Sequence, residues 1–153
     1  MIDRIESFTI DHDRLRPGLY ISRRDGNVIT YDLRTRIPNA GDYMDNLTMH
    51  SVEHLFATYV RNSPIRDDVL YFGPMGCQTG FYLLVKEQTP DTVYDTILAV
   101  LDQIIAHEGP VFGAERKECG NYRNLNLSAA QLEAERYRKV LIERGRGRYA
   151  YDD

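Results

Sequence analysis

The stretch Asp45-Asn46-Leu47-Thr48-Met49-His50-Ser51-Val52-Glu53-His54-Leu55-Phe56-Ala57-Thr58-Tyr59-Val60-Arg61-Asn62-Ser63-Pro64 decides the reading of this chain. Asp45 or Asn46 can cap a helix by accepting from a free N–H of its first turn. Apolar Leu47, Val52, Leu55, Phe56, Tyr59 and Val60 then recur at helical spacing. The helix must stop by Ser63, because Pro64 pushes its predecessor out of helical geometry. Within it, His50 and His54 stand four residues apart on one face, where two imidazoles can grip a single ion. Glu53 can face the open side of that ion and move protons there without ligating it. The alternative is three solvated surface groups. Only four histidines exist in the chain, and two of them at metal-binding spacing on one helix favour the ion.

Outward from this helix, the chain reads as an antiparallel framework. Residues 5–10 (IESFTI), 19–22 (LYIS) and 28–33 (VITYDL) have strand patterning, with Arg24-Asp25-Gly26-Asn27 as a hairpin turn. Residues 37–42 form a loop. Residues 69–72 and 81–85 are two further strands, joined by the glycine-bracketed loop 73–80. Thr89-Pro90-Asp91 opens a second helix that ends at His107-Glu108-Gly109-Pro110, so His107 reads as a helix-terminal residue. Residues 111–126 are irregular, Ser128 caps a third helix running to about Glu143, and residues 145–153 read as a frayed tail. Strands grouped with helices, without regular alternation, predict an α+β sandwich of antiparallel sheet and packed helices.

Length and composition bound the rest. A chain of 153 residues buries one core, which predicts a single domain over 1–153. The formal charge of −4 comes from basic and acidic residues mixed along the chain, with no basic stripe for nucleic acid. No run approaches the ~20 apolar residues of a membrane span, and MIDRIESFTIDHDR is too charged for a signal-peptide core. A cytoplasmic location is the expectation, and a reducing compartment turns Cys77 and Cys119 towards ligation or catalysis rather than a disulfide.

A catalytic zinc-type site uses three protein ligands and keeps a position open. Cys119, followed by Gly120, is the best third ligand, a soft thiolate on backbone that can bend around an ion. Such a His2Cys set suits divalent iron, cobalt or zinc. Cys77 sits in a loop whose glycines 73, 76 and 80 leave N–H groups exposed, which favours a thiolate able to remove a proton from carbon next to a carbonyl, with Glu53 as counterpart. The alternative is an inert buried thiol. Two rivals stay open on these residues. H-x-x-E-H is also the inverted zincin motif of metallopeptidases, with Glu115 or Glu118 as carboxylate ligand. A structural zinc site could also close with Cys77 as fourth ligand.

Three segments together resemble the S-ribosylhomocysteine lyase (LuxS) family: HSVEH at 50–54, GPMGCQTGFYL at 73–83 and ECGNYRNLNL at 118–127. ESFTIDH at 6–12 and YDLRTRIPN at 31–39 add to the likeness, which runs from about residue 5 into the C-terminal helix. The resemblance implies cleavage of S-ribosylhomocysteine to homocysteine and dihydroxypentanedione, the autoinducer-2 precursor of quorum sensing, in the activated methyl cycle. It implies a homodimer with two active sites at the interface, each holding one divalent ion, natively Fe2+ and often Zn2+. It implies His50, His54 and Cys119 as ligands, Glu53 and Cys77 as acid-base residues, and Ser7, His12 and Arg34 as substrate contacts. Where many members carry an acidic residue, this chain reads Leu70-Tyr71-Phe72, so contacts to the amino-acid end of the substrate differ near Tyr71.

Overall fold

The computed structural model describes residues 1–153. Four strands, β1 (Gly18–Asp25), β2 (Val28–Arg34), β3 (Val69–Pro74) and β4 (Gly80–Lys86), form one antiparallel sheet in the order β1-β2-β4-β3. Three helices, α1 (Asn46–Val60), α2 (Pro90–Ala106) and α3 (Leu127–Arg144), pack with it, giving the expected single-domain α+β architecture. Gly26 takes φ +61° in the β1–β2 turn, which a side chain there would resist.

Each helix start is fixed by a side-chain cap. Asp45 accepts from Thr48 N at 2.8 Å and Thr89 from Thr92 N at 3.2 Å, with Pro90 opening α2. The third cap is Asn126 rather than Ser128. Its Oδ1 accepts from Ala129 N at 2.9 Å, so α3 begins at Leu127, ahead of the predicted position.

Alternation along the strands sends Leu19, Tyr31, Leu33, Phe81, Leu83 and Val85 to one face, where the helices bury them. Phe56 of α1 stacks on Phe72 at 4.2 Å between ring centres, and Phe72 on Phe81 at 5.1 Å, so aromatic contact fixes α1 against the sheet. Met49, Val52, Leu55, Phe56 and Val60 form the buried stripe of α1. His50, Glu53 and His54 fall on its half-buried flank, rotated out of the core yet held by it.

Two expectations fail. Residues 5–10 form no strand. A single 3-10 turn spans Glu6–Phe8, and Thr9 closes it by donating both N–H and hydroxyl to the Glu6 carbonyl. Local hydrogen bonding by a threonine wins over the alternating pattern, and the segment stays outside the four-stranded sheet. The predicted frayed tail, residues 145–153, instead packs back. Tyr149 is buried and its carbonyl accepts from Ile21 N at 2.7 Å, while Tyr151 stacks on Tyr20 and donates to Asp32 Oδ2 at 2.8 Å. Tyrosines carry enough apolar area to anchor a chain end that glycine and arginine would otherwise leave loose.

Candidate metal centre and active site

Helix α1 presents His50 and His54 with their rings edge to face, 4.5 Å between centres. The Nδ1 of His50 contacts the Asn124 carbonyl at 2.8 Å and the Nδ1 of His54 the Phe112 carbonyl at 2.7 Å. A carbonyl only accepts, so each Nδ1 carries the proton and each Nε2 keeps its lone pair. Backbone carbonyls thus select the tautomer a metal ligand needs. Cys119 Sγ lies 3.4 Å from His50 Nε2, and ligand atoms of His50, His54 and Cys119 all fall within 4.8 Å of one another, a spacing that could hold one metal ion. Asn121 N donates to Cys119 Sγ at 3.4 Å. The donor set, two nitrogens and a soft sulfur, fits a borderline divalent ion with a position left open.

The loops bearing these partners are tied to α1 itself. Ser51, buried on α1, accepts from Asn126 N at 2.8 Å, which holds the segment after Cys119. Gly113 runs close beneath His54 with φ +70°; a Cβ there would sit 3.0 Å from His54 Nδ1. Glycine is what permits this approach.

A second group gathers around Cys77. Its exposed thiol opens on a cavity of about 290 Å3 whose wall includes His12, Asn39, Tyr43 and Gln78. Asn39 and Gln78 have φ of 59° and 68°, left-handed conformations uncommon for residues with a side chain. Arg34 lies on the sheet face opposite the helices and is only 2% exposed. It pairs with buried Asp32 through Nε at 3.1 Å and Nη2 at 2.7 Å, and its Nη1 donates to Thr79 Oγ1 at 2.9 Å. Having accepted from Arg34, the Thr79 hydroxyl is free to donate to Cys77 Sγ at 3.1 Å, and Arg34 Nη1 makes a longer contact of 3.9 Å with that sulfur. Burial alone would lower the Arg34 pKa, but the charge and hydrogen bonds of Asp32 outweigh it and raise it, so the guanidinium stays charged beneath the thiol.

His12 donates Nδ1–H to the Ile10 carbonyl at 2.8 Å, which leaves its Nε2 as acceptor. Ser7 sits half-buried in the Glu6–Phe8 turn and is not on the wall of the Cys77 cavity. A larger cavity, about 470 Å3 between the N-terminal segment and the tail, is lined by none of the candidate residues.

The chain's sequence matches the model of the S-ribosylhomocysteinase (LuxS) family over residues 5–146. This chain belongs to the LuxS family. Among its relatives are proteins named S-ribosylhomocysteine lyase from Finegoldia magna, 43% identical over 145 residues and covering 92% of each chain, and from Phocaeicola vulgatus, 42% identical over 149 residues, covering 91% of this chain and 90% of that one. A third, from Borrelia garinii subsp. bavariensis, is 42% identical over 145 residues, covering 90% of this chain and 92% of its own.

Against LuxS membership the rival readings lose their footing in the geometry as well. Glu115 and Glu118 are exposed and stand outside the histidine-cysteine group, so no carboxylate takes the third place a peptidase would give it. Cys77 also stands outside that group and does not close a four-ligand site. The sequence reading missed Thr79, Asp32, Ser51 and the carbonyls of Phe112 and Asn124. For Phe112 a signal was present, since Gly113 marks a close backbone approach. Carbonyl partners otherwise carry no residue type that could announce them.

Proposed function

We propose that this LuxS-family chain cleaves S-ribosylhomocysteine to homocysteine and dihydroxypentanedione, by carbonyl migration and β-elimination. The observation that carries the reading is the pair of imidazoles whose Nδ1 protons are held by carbonyls, with a ligand atom of each ring and Cys119 Sγ gathered within 4.8 Å. His50, His54 and Cys119 would hold one divalent ion per chain, Fe2+ in the native protein with Zn2+ or Co2+ as substitutes. When bound, that ion supplies a Lewis acid that polarises a sugar carbonyl and acidifies the neighbouring C–H.

Cys77 Sγ is the base that takes a proton from carbon, and the Glu53 carboxylate, beside the ligands on α1, carries protons to and from the substrate oxygens. Two such transfers move the carbonyl along the sugar, and a third removes the proton whose electrons expel the homocysteine thiolate. No water is consumed. Arg34 and Thr79 act through the Cys77 sulfur, which replaces the expected direct contact of Arg34 with substrate. His12 Nε2 accepts from a substrate hydroxyl, and Ser7 joins it from the neighbouring turn. Near Tyr71 the amino-acid end of the substrate is met by a phenol in place of an acid.

The reading includes a homodimer with active sites at the interface. It is supported by the division of the residues into two sets, since the cavity beside Cys77 is lined by none of His50, Glu53, His54 or Cys119. A second copy would bring thiol and ion together. No helix is long and apolar enough to cross a membrane, and the reaction belongs in the cytoplasm, where the methyl cycle runs and the signal precursor is made. Cys77→Ala should keep one ion per chain and release no thiol from S-ribosylhomocysteine, whereas Cys119→Ala should lose both ion and activity. A Cys77→Ala protein that turns over normally would exclude the thiol from the chemistry.

A further inference from the structure

His107 closes α2, and the structure gives both its ring nitrogens a partner. Its Nε2 meets the Pro110 carbonyl at 2.9 Å and its Nδ1 meets the Tyr59 hydroxyl at 2.7 Å. The carbonyl can only accept, so Nε2 carries the proton, and in the neutral ring Nδ1 then accepts from Tyr59. Tyr59 stands on α1, five residues after His54. The ring of Phe112 packs edge-on against both, 4.7 Å from His107 and 5.2 Å from Tyr59. A closed circuit results, running from His54 to the Phe112 carbonyl, through Pro110 to His107, and through Tyr59 back to the metal helix.

The segment between Glu108 and Gly113 makes no backbone-to-backbone hydrogen bond, and Gly109 and Gly113 both have positive φ. Nothing in regular secondary structure therefore sets the height of the Phe112 carbonyl. What holds it is the His107 ring on Pro110, the buried side chain of Val111 and the Phe112 ring in its aromatic pocket. Gln131 of α3 fixes the other side by donating Nε2 to the His107 carbonyl at 3.0 Å.

We propose that His107 is a positioning residue for the metal centre, holding the Phe112 carbonyl where it orients His54 Nδ1 and so setting how tightly the ion is kept. The proposal rests on the reading of His50, His54 and Cys119 as the ligands. Its effect is one contact removed from the ligand. Where losing a direct partner costs roughly 10–100-fold in metal affinity, loss of His107 should cost about 3–10-fold.

The test uses full-length protein loaded with Co2+. His107→Ala should release cobalt to a chelator about 3–10-fold faster than wild type and shift its visible d–d bands, because the His54 ring reorients. His107→Gln, whose side-chain amide can donate to the Pro110 carbonyl, should recover most of both. Tyr59→Phe, which removes only the hydroxyl, should fall between. Release rate and spectrum both unchanged in His107→Ala overturn the proposal. So does faster release with an unshifted spectrum and no rescue by Gln, which marks ordinary loss of packing. Should His107→Ala fail to fold, His107→Leu, which keeps the side-chain volume and removes both ring nitrogens, takes its place: fast cobalt release in Leu with near wild-type release in Gln supports the proposal, and wild-type release in Leu overturns it. Cys119→Ser separates the two levels. If it leaves the sulfur-to-cobalt band intact, the ligand reading itself has failed, and if it removes the band while His107→Ala is silent, only the role of His107 falls.

Discussion

Replacing Arg34 with methionine keeps the aliphatic stem and removes the guanidinium from a buried pair with Asp32, whose side chains are 2% and 0% exposed. Arg34 supplies two hydrogen bonds to Asp32, one to Thr79 and the long contact to Cys77. Breaking such a pair leaves a carboxylate buried with the Tyr151 hydroxyl as its remaining donor, a loss of about 3–5 kcal/mol. For a chain of this size that corresponds to a fall in Tm of roughly 6–20 °C. The assay is thermal and urea unfolding at fixed chain concentration, which matters if association adds to stability. The double variant Asp32→Leu, Arg34→Met removes both charges and should recover more than half of the loss. A single variant that loses less than about 1 kcal/mol, or a double variant no better than the single, would refute the view that Asp32 depends on Arg34 for compensation.

Two further outcomes test other parts of the structure. Gly113→Ala places a Cβ 3.0 Å from His54 Nδ1 at φ +70°, a backbone strain of about 1–2 kcal/mol, and should weaken metal binding by about 10-fold in chelator competition. Seven of the eleven tyrosines, namely 20, 31, 82, 94, 137, 149 and 151, have pKa values raised mainly by burial, Tyr31 to about 12. The protonated phenol is favoured by the fold, so this contribution to stability is complete below the ordinary tyrosine pKa near 10 and is lost as pH rises through the folded values. Absorbance titration at 295 nm should show these phenols ionising late and together with alkaline unfolding, whereas ionisation of all eleven near pH 10 in the folded protein would contradict their burial.

Much of the fold was legible because period and punctuation agree. Helix α1 announces itself by an Asp45 cap, an apolar stripe and Pro64, and the β1–β2 hairpin by its Asp-Gly-Asn turn. The histidine pair was legible for the same reason, since helical periodicity alone puts His50 above His54, whereas Cys119 needed the expectation of a third ligand and the family likeness. The failures share a cause in tertiary context. IESFTI alternates like a strand but lies outside the sheet, whose β1 edge meets the tail instead, and GRGRYAYDD reads as loose until Tyr149 and Tyr151 find the sheet. The resemblance implied Arg34 as a substrate contact; its burial against Asp32 and beneath Tyr151 depends on residues whose pairing the sequence pattern does not announce. The carbonyls that orient both histidines belong to Phe112 and Asn124 by backbone position, so no side-chain chemistry could signal them.

The most direct measurement is thiol release by the purified chain. Loaded with one divalent ion and given S-ribosylhomocysteine, it should liberate one equivalent of homocysteine thiol per substrate consumed, with an equal amount of dihydroxypentanedione. Full metal occupancy at the histidine-cysteine site with no thiol released would contradict the account.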